Sequence, residues 1–166
     1  MSRQHYKVST FRAQISLGYL LRRANSLLLD ALEPLLEARG LSFTQYIVLM
    51  SVRDGIAVNP KDICRQIRHD SGALTRVIDQ LAERGFIERA RRDRDRRKVE
   101  LELTPAGRRA LEGVIPDVVD GLNTVLSEFS SEEVHELKRL LGKLIARLES
   151  LEERAPARVA SAERQV

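Results

Sequence analysis

The sequence predicts a mainly α fold: a winged helix-turn-helix with a small β-hairpin wing, plus a helical dimerisation region built from N- and C-terminal helices. Three observations predict it. Short helical patterns with readable starts follow one another between residues 42 and 84. Two strand-like segments come next, with a highly charged tip between them. Longer helical patterns flank this block, and the last carries leucines at alternating spacings of four and three.

Composition bounds the rest. A chain of 166 residues is one domain's worth, and 43% hydrophobic residues suffice for a core. Aromatic residues are only 4%, with no Trp, so aliphatic side chains must build that core. The single cysteine, Cys64, excludes an internal disulfide and fits a reducing compartment. The polar N-terminus lacks a signal peptide's apolar core, and no apolar run approaches the ~20 residues of a membrane span. A cytoplasmic protein, with no membrane among its partners, is expected.

Taken in order, residues 1–10 read as an arm. A helical pattern runs from Phe11 to Arg39 with an apolar surface too broad for one-sided burial. Pro34 is expected to kink or break it, and Gly40 to end it. Ser42-Phe43-Thr44-Gln45 reads as a capping box opening a helix that Gly55 closes. Asn59-Pro60 supplies a cap and first-turn proline for a helix ending near Arg68. Asp70 or Ser71 caps the next, whose Leu74, Val77, Ile78 and Leu81 keep helical spacing until Gly85. Phe86 to Arg91 and the alternating Val99-Glu100-Leu101-Glu102-Leu103 read as paired strands. Thr104-Pro105 starts another helix, interrupted or bent at Pro116. Ser130 to Glu133 is a second capping box, opening the helix with Leu137, Leu141, Leu144, Leu148 and Leu151, a coiled-coil-like seam. The organisation expected is thus an arm at 1–10, a dimerisation region at 11–40 and 105–152, a winged helix-turn-helix at 41–104 and a disordered tail at 153–166.

Charge placement says more than the net +4. Between Arg84 and Lys98 stand eight basic and three acidic residues, a local +5 against −1 for the remaining chain. A localised positive field suits a polyanion, although such a run is equally compatible with a solvated face. Off the apolar stripe of the 71–84 helix lie Ser71, Gly72, Thr75, Arg76 and Asp79. An Arg can bond guanine O6 and N7 together, Ser and Thr reach phosphates or base edges, and Gly72 lets the backbone approach. An ordinary amphipathic helix would also show a polar face. At the hairpin tip, Arg94, Arg96, Arg97 and Lys98 can enter a minor groove, with Asp95 holding a guanidinium in a bidentate pair.

These segments resemble the MarR family of bacterial regulators. The family's wing signature, D-x-R followed after five residues by L-T-x-x-G, is matched by Asp95, Arg97, Leu103, Thr104 and Gly107. The Leu-Thr-Arg-x-Ile-Asp-x-Leu stretch from Leu74 to Leu81 matches its recognition helix, and the overall plan is similar over about residues 11–152.

The resemblance implies a homodimer joined through the first and last two helices, binding a pseudo-palindromic double-stranded DNA operator, and acting as a repressor. It implies that Arg97 and Arg96 enter the minor groove, that Asp95 positions the tip, that Ser71, Thr75 and Arg76 meet bases or phosphates, and that Thr44 touches backbone. It also implies release by a small effector, with an aromatic acid, phenol or related thioester as the default. Arg22, Arg23 and Tyr46 are candidates for its polar contacts, but no ligand residue is assigned. The region where the peroxide-sensing branch carries its Cys has none here, and the Trp of the urate-responsive branch is missing. Cys64 reads as a buried structural thiol. No cofactor is expected, and His5, His69 and His135 stand too far apart in sequence to suggest a metal site. An enzyme is not expected, for want of a nucleophile–base pair, metal cluster or phosphate loop. A protein-binding winged helix and a nucleoid-type non-specific binder remain the rival classes.

Overall fold

A computed structural model describes residues 4–67, 71–91 and 99–162. The first helix starts later than expected. Two 3-10 turns, Val8–Thr10 and Ala13–Ile15, precede α1 (Leu17–Glu37). Local chemistry sets the start: Ser16 Oγ accepts from the Tyr19 N–H at 3.3 Å, and the Tyr6 hydroxyl accepts from the Leu17 N–H at 2.9 Å. The arm therefore folds back, with Tyr6 edge-on to Phe11. Pro34 does not break α1. It removes one donor near the helix end, while its own carbonyl still accepts from the Ala38 N–H at 3.1 Å. The end comes at Gly40, whose φ of +71° is costly for any residue with a Cβ. The Leu41 N–H then reaches back to the Leu36 carbonyl at 3.0 Å.

The block that follows is a winged helix. It comprises α2 (Phe43–Arg53), α3 (Pro60–Ile67), α4 (Ser71–Glu83), β1 (Ile87–Arg91) and β2 (Val99–Leu103). The capping box at α2 is formed in both directions: Gln45 N–H to Ser42 Oγ, 3.2 Å, and Ser42 N–H to Gln45 Oε1, 3.1 Å. Asn59 Oδ1 accepts from the Asp62 N–H at 2.9 Å and so starts α3. The strands pair antiparallel, with Ile87 opposite Leu103 and Arg89 opposite Leu101. The Leu101 N–H also donates to the Val58 carbonyl at 2.6 Å, so the α2–α3 linker runs beside β2. Leu36, Leu49, Ile63, Leu74, Ile78, Leu81, Ile87 and Leu101 are buried in one cluster. Each contributes roughly 1.5–3 kcal/mol in burial, so this cluster fixes where the polar face of α4 points.

The next helix, α5 (Pro105–Val125), runs through Pro116 without the interruption that was one of the two expectations there. Leu111, Val114 and Val118 are buried on both sides of that proline, and Pro116 itself faces solvent. Packing of the flanking turns outweighs one lost hydrogen bond. At Gly121 a Cβ would lie 2.6 Å from Leu35 Cδ1, so this glycine lets α5 approach α1. Arg39, in the turn after α1, and Asp117 of α5 add a bidentate ion pair at 2.6 and 3.2 Å.

Residues Met1–Asn123 form one compact unit and Thr124–Val166 a second. The second consists mainly of α6 (Ser131–Ala162), opened by the expected box: Glu133 N–H to Ser130 Oγ, 3.2 Å, and Ser130 N–H to Glu133 Oε2, 2.9 Å. The helix continues to Ala162, well into the tail expected to be disordered. Ala and Arg propagate a helix readily once it is nucleated upstream.

Candidate nucleic-acid interface

Helix α4 separates two faces. Leu74, Ile78 and Leu81 are at most 1% exposed, while Gly72, Thr75 and Arg76 are exposed on the other side. Among the described residues Arg76 has no carboxylate partner. The face therefore offers a guanidinium, a hydroxyl and a glycine without a blocking side chain, a set able to meet a base edge and adjacent phosphates. Ser71 opens α4. Its side chain lies outside the description, as do Arg94, Asp95, Arg96, Arg97 and Lys98 of the wing tip.

Two tethers orient α4. On one side Gln45 of α2 links three groups: its Oε1 accepts from Arg84 Nη1 and from the Ser42 N–H, and its Nε2 donates to Gln80 Oε1 at 3.2 Å. Arg84 stacks over the Phe86 ring at 4.5 Å. On the other side Arg89 of β1 donates from Nη2 to Asp79 Oδ1 at 2.6 Å. Arg89 was counted in the basic run, yet it turns toward α4. The signal was in the period of two: Arg89 shares its strand face with Ile87, and across the ladder with Leu101 and Leu103.

The wing's root explains part of the signature. Thr104 Oγ1 donates to the Gly85 carbonyl at 2.6 Å and accepts from the Gly107 N–H at 3.0 Å. A Cβ on Gly107 would lie 2.0 Å from the Phe86 carbonyl oxygen. Leu-Thr-x-x-Gly is thus a clasp joining the end of α4 to the start of α5.

Thr44 sits half-buried in the first turn of α2. The positive end of that helix is already partly served, because the Phe43 N–H donates to both carboxylate oxygens of Glu33 at 3.2 Å. Sequence reasoning missed Glu33, whose partner is remote in the pattern. It also passed over Lys61 and Arg65. These line a shallow groove of about 360 Å³ between α3 and α4 with Cys64, Thr75 and others, and Cys64 is half-buried rather than enclosed. A second groove, of about 400 Å³, lies along α1 between Tyr19, Arg22, Arg23, Ser26 and Leu27. Tyr46 does not line it. Burial pushes the Tyr46 phenol up, while Arg53 pulls it back. Among the described residues no helix is long and apolar enough to cross a membrane, and no three His, Cys, Asp or Glu side chains gather as metal ligands would.

Residues 41–99 match the model of the MarR family. The transcriptional repressor MprA of Escherichia coli (strain K12) is 30% identical over 142 residues, covering 84% of this chain and 81% of that protein. A mutant MarR from E. coli, solved in complex with operator DNA, superposes with a TM-score of 0.69 at 29% identity, covering 81% of this chain and 97% of that one. BpsR of Bordetella bronchiseptica, whose DNA binding is regulated by 6-hydroxynicotinic acid, gives a TM-score of 0.70 at 26% identity, covering 81% and 96%.

Proposed function

Because the chain belongs to the MarR family of transcription regulators, we propose that it is a repressor that binds a pseudo-palindromic operator as a homodimer and is released by a small aromatic or phenolic ligand. The observation that carries the DNA-reading part is the exposed Gly72, Thr75 and Arg76 face of a helix pinned from behind by a buried stripe. Each protomer then places α4 in a major groove, with the two grooves one helical turn, ~34 Å, apart. Arg76 reads a base, Ser71 and Thr75 meet base edges or phosphates, and Thr44 meets backbone. The tip residues Arg94, Arg96, Arg97 and Lys98 lie along the minor groove, with Asp95 holding the arginines in place.

Dimerisation is supported by apolar side chains that the chain leaves uncovered. Leu137, Leu140, Ile145, Leu148 and Leu151 of α6 are each more than 40% exposed, as are Leu17, Leu20 and Leu27 of α1. Effector release is supported by BpsR and by the arginine-lined groove on α1, which offers an anionic aromatic both charge and an apolar wall. A ligand shifts DNA affinity only by its differential affinity for the two states of the protein.

The test of operator geometry is a spacing experiment on a duplex enriched by the chain from a random library. Inserting five base pairs between the half-sites turns the second groove to the opposite side of the duplex and should abolish dimeric binding; unchanged affinity would contradict it. Arg97→Ala should weaken binding by about 1–3 kcal/mol in a titration at fixed salt. Thermal shift against aromatic acids, phenols and their thioesters, followed by DNA release, tests the effector.

A further inference from the structure

We propose that Arg89 is a positioning residue for DNA reading: by holding the Asp79 carboxylate it prevents that carboxylate from capturing Arg76. The inference rests on the reading of α4 given above and explains how its one exposed arginine stays available.

On a helix, Arg76 can meet side chains three or four positions away. Those positions are Gly72, Ala73, Asp79 and Gln80. Gln80 is engaged by Gln45. Asp79 is the one carboxylate in helical reach, and an Arg–Asp pair at this spacing forms readily on an exposed face. Left to itself, Asp79 would do two kinds of harm. It would hold the Arg76 guanidinium against the helix, and it would set an unneutralised negative charge beside DNA phosphates. Instead its Oδ1 takes a 2.6 Å charge-assisted bond from Arg89 Nη2, and among the described residues Arg76 is left without a carboxylate. Arg89 can do this because β1 turns it to the same face as Ile87, toward α4. One arginine of the basic run thereby serves another.

The experiment compares Arg89→Ala, Asp79→Asn, their double variant, Arg89→Lys and Arg76→Ala in the full chain. Each is titrated against the duplex enriched by the wild-type chain and against a scrambled duplex, and thermal unfolding verifies that each is folded. The readout is the ratio of the two affinities, which a general loss of positive charge does not change. Arg89→Ala should lower that ratio by up to about fivefold, the range over which exposed ion pairs act. Asp79→Asn should leave the ratio close to wild type, and added to Arg89→Ala it should restore it; Arg89→Lys should retain most of it. A double variant as poor as Arg89→Ala would overturn the proposal, since Arg89 would then act on DNA directly or through the fold. An unchanged ratio in Arg89→Ala would overturn it as well. Arg76→Ala separates the two levels: if it leaves the ratio unchanged, the reading of α4 itself fails. If it lowers the ratio while Arg89→Ala does not, only the role of Arg89 fails.

Discussion

Helices α4 and α6 carry apolar stripes of similar regularity and use them differently. In α4 the chain buries its own stripe: Leu74, Ile78 and Leu81 are at most 1% exposed. In α6, Leu137, Leu148 and Leu151 remain 42%, 52% and 46% exposed, and Leu141 and Leu144 between them are only half-buried. A stripe closed by its own chain fixes a geometry, which is what a groove-reading helix requires. A stripe left open holds its stabilisation in reserve for another surface, and a second copy of the chain supplies the complementary seam in the proposed dimer.

That contrast can be broken by graded substitutions. Ile78→Ala should cost about 2–5 kcal/mol in urea unfolding, because it opens a cavity in a closed core. Gly107→Ala should cost roughly 1–3 kcal/mol by forcing a methyl group onto the Phe86 backbone, and it should loosen the wing root. Ser42→Ala should cost about 1 kcal/mol by removing a cap from α2, and the same change at Ser130 should act on α6 alone. Leu148→Ala should shift unfolding by less than about 0.5 kcal/mol at concentrations where the chain is monomeric. It should shift dimer dissociation measurably in light scattering across a dilution series. A large concentration-independent effect at Leu148 would make α6 a self-contained core helix and remove the contrast.

Much of the fold was legible because caps are local. Ser42 with Gln45 and Ser130 with Glu133 form as read, and Asn59 caps as read, with Asp62 as the partner one turn on. The glycine stops at Gly40, Gly55 and Gly85 were legible for the same reason, each having positive φ. Neither proline interrupts its helix, because a proline's local cost says nothing about its neighbours' packing. At Pro116 the flanking Leu111, Val114 and Val118 settle the matter. The early start placed at Phe11 failed because Ser16 is the better cap, and the scattered apolar residues Phe11, Ala13 and Ile15 upstream do not outweigh it.

The interface was legible in its parts and not in its connections. Gly72, Thr75 and Arg76 follow from helical periodicity alone. Glu33 of α1 bonded to the Phe43 N–H, and Arg89 bonded to Asp79, join residues ten apart in sequence across an intervening turn, where no single period links them. Arg89 was visible only as charge, because counting basic residues ignores which face of the strand each occupies. Its alternation with Ile87 held the information.

The most direct test of the central claim, that α4 reads sequence rather than charge, is the affinity ratio of the wild-type chain for its enriched duplex over a scrambled duplex at physiological salt. Sequence reading predicts a ratio of roughly a thousandfold or more. Near-equal affinities, both falling steeply with salt, would mark the chain as a non-specific binder held by phosphates alone and would contradict it.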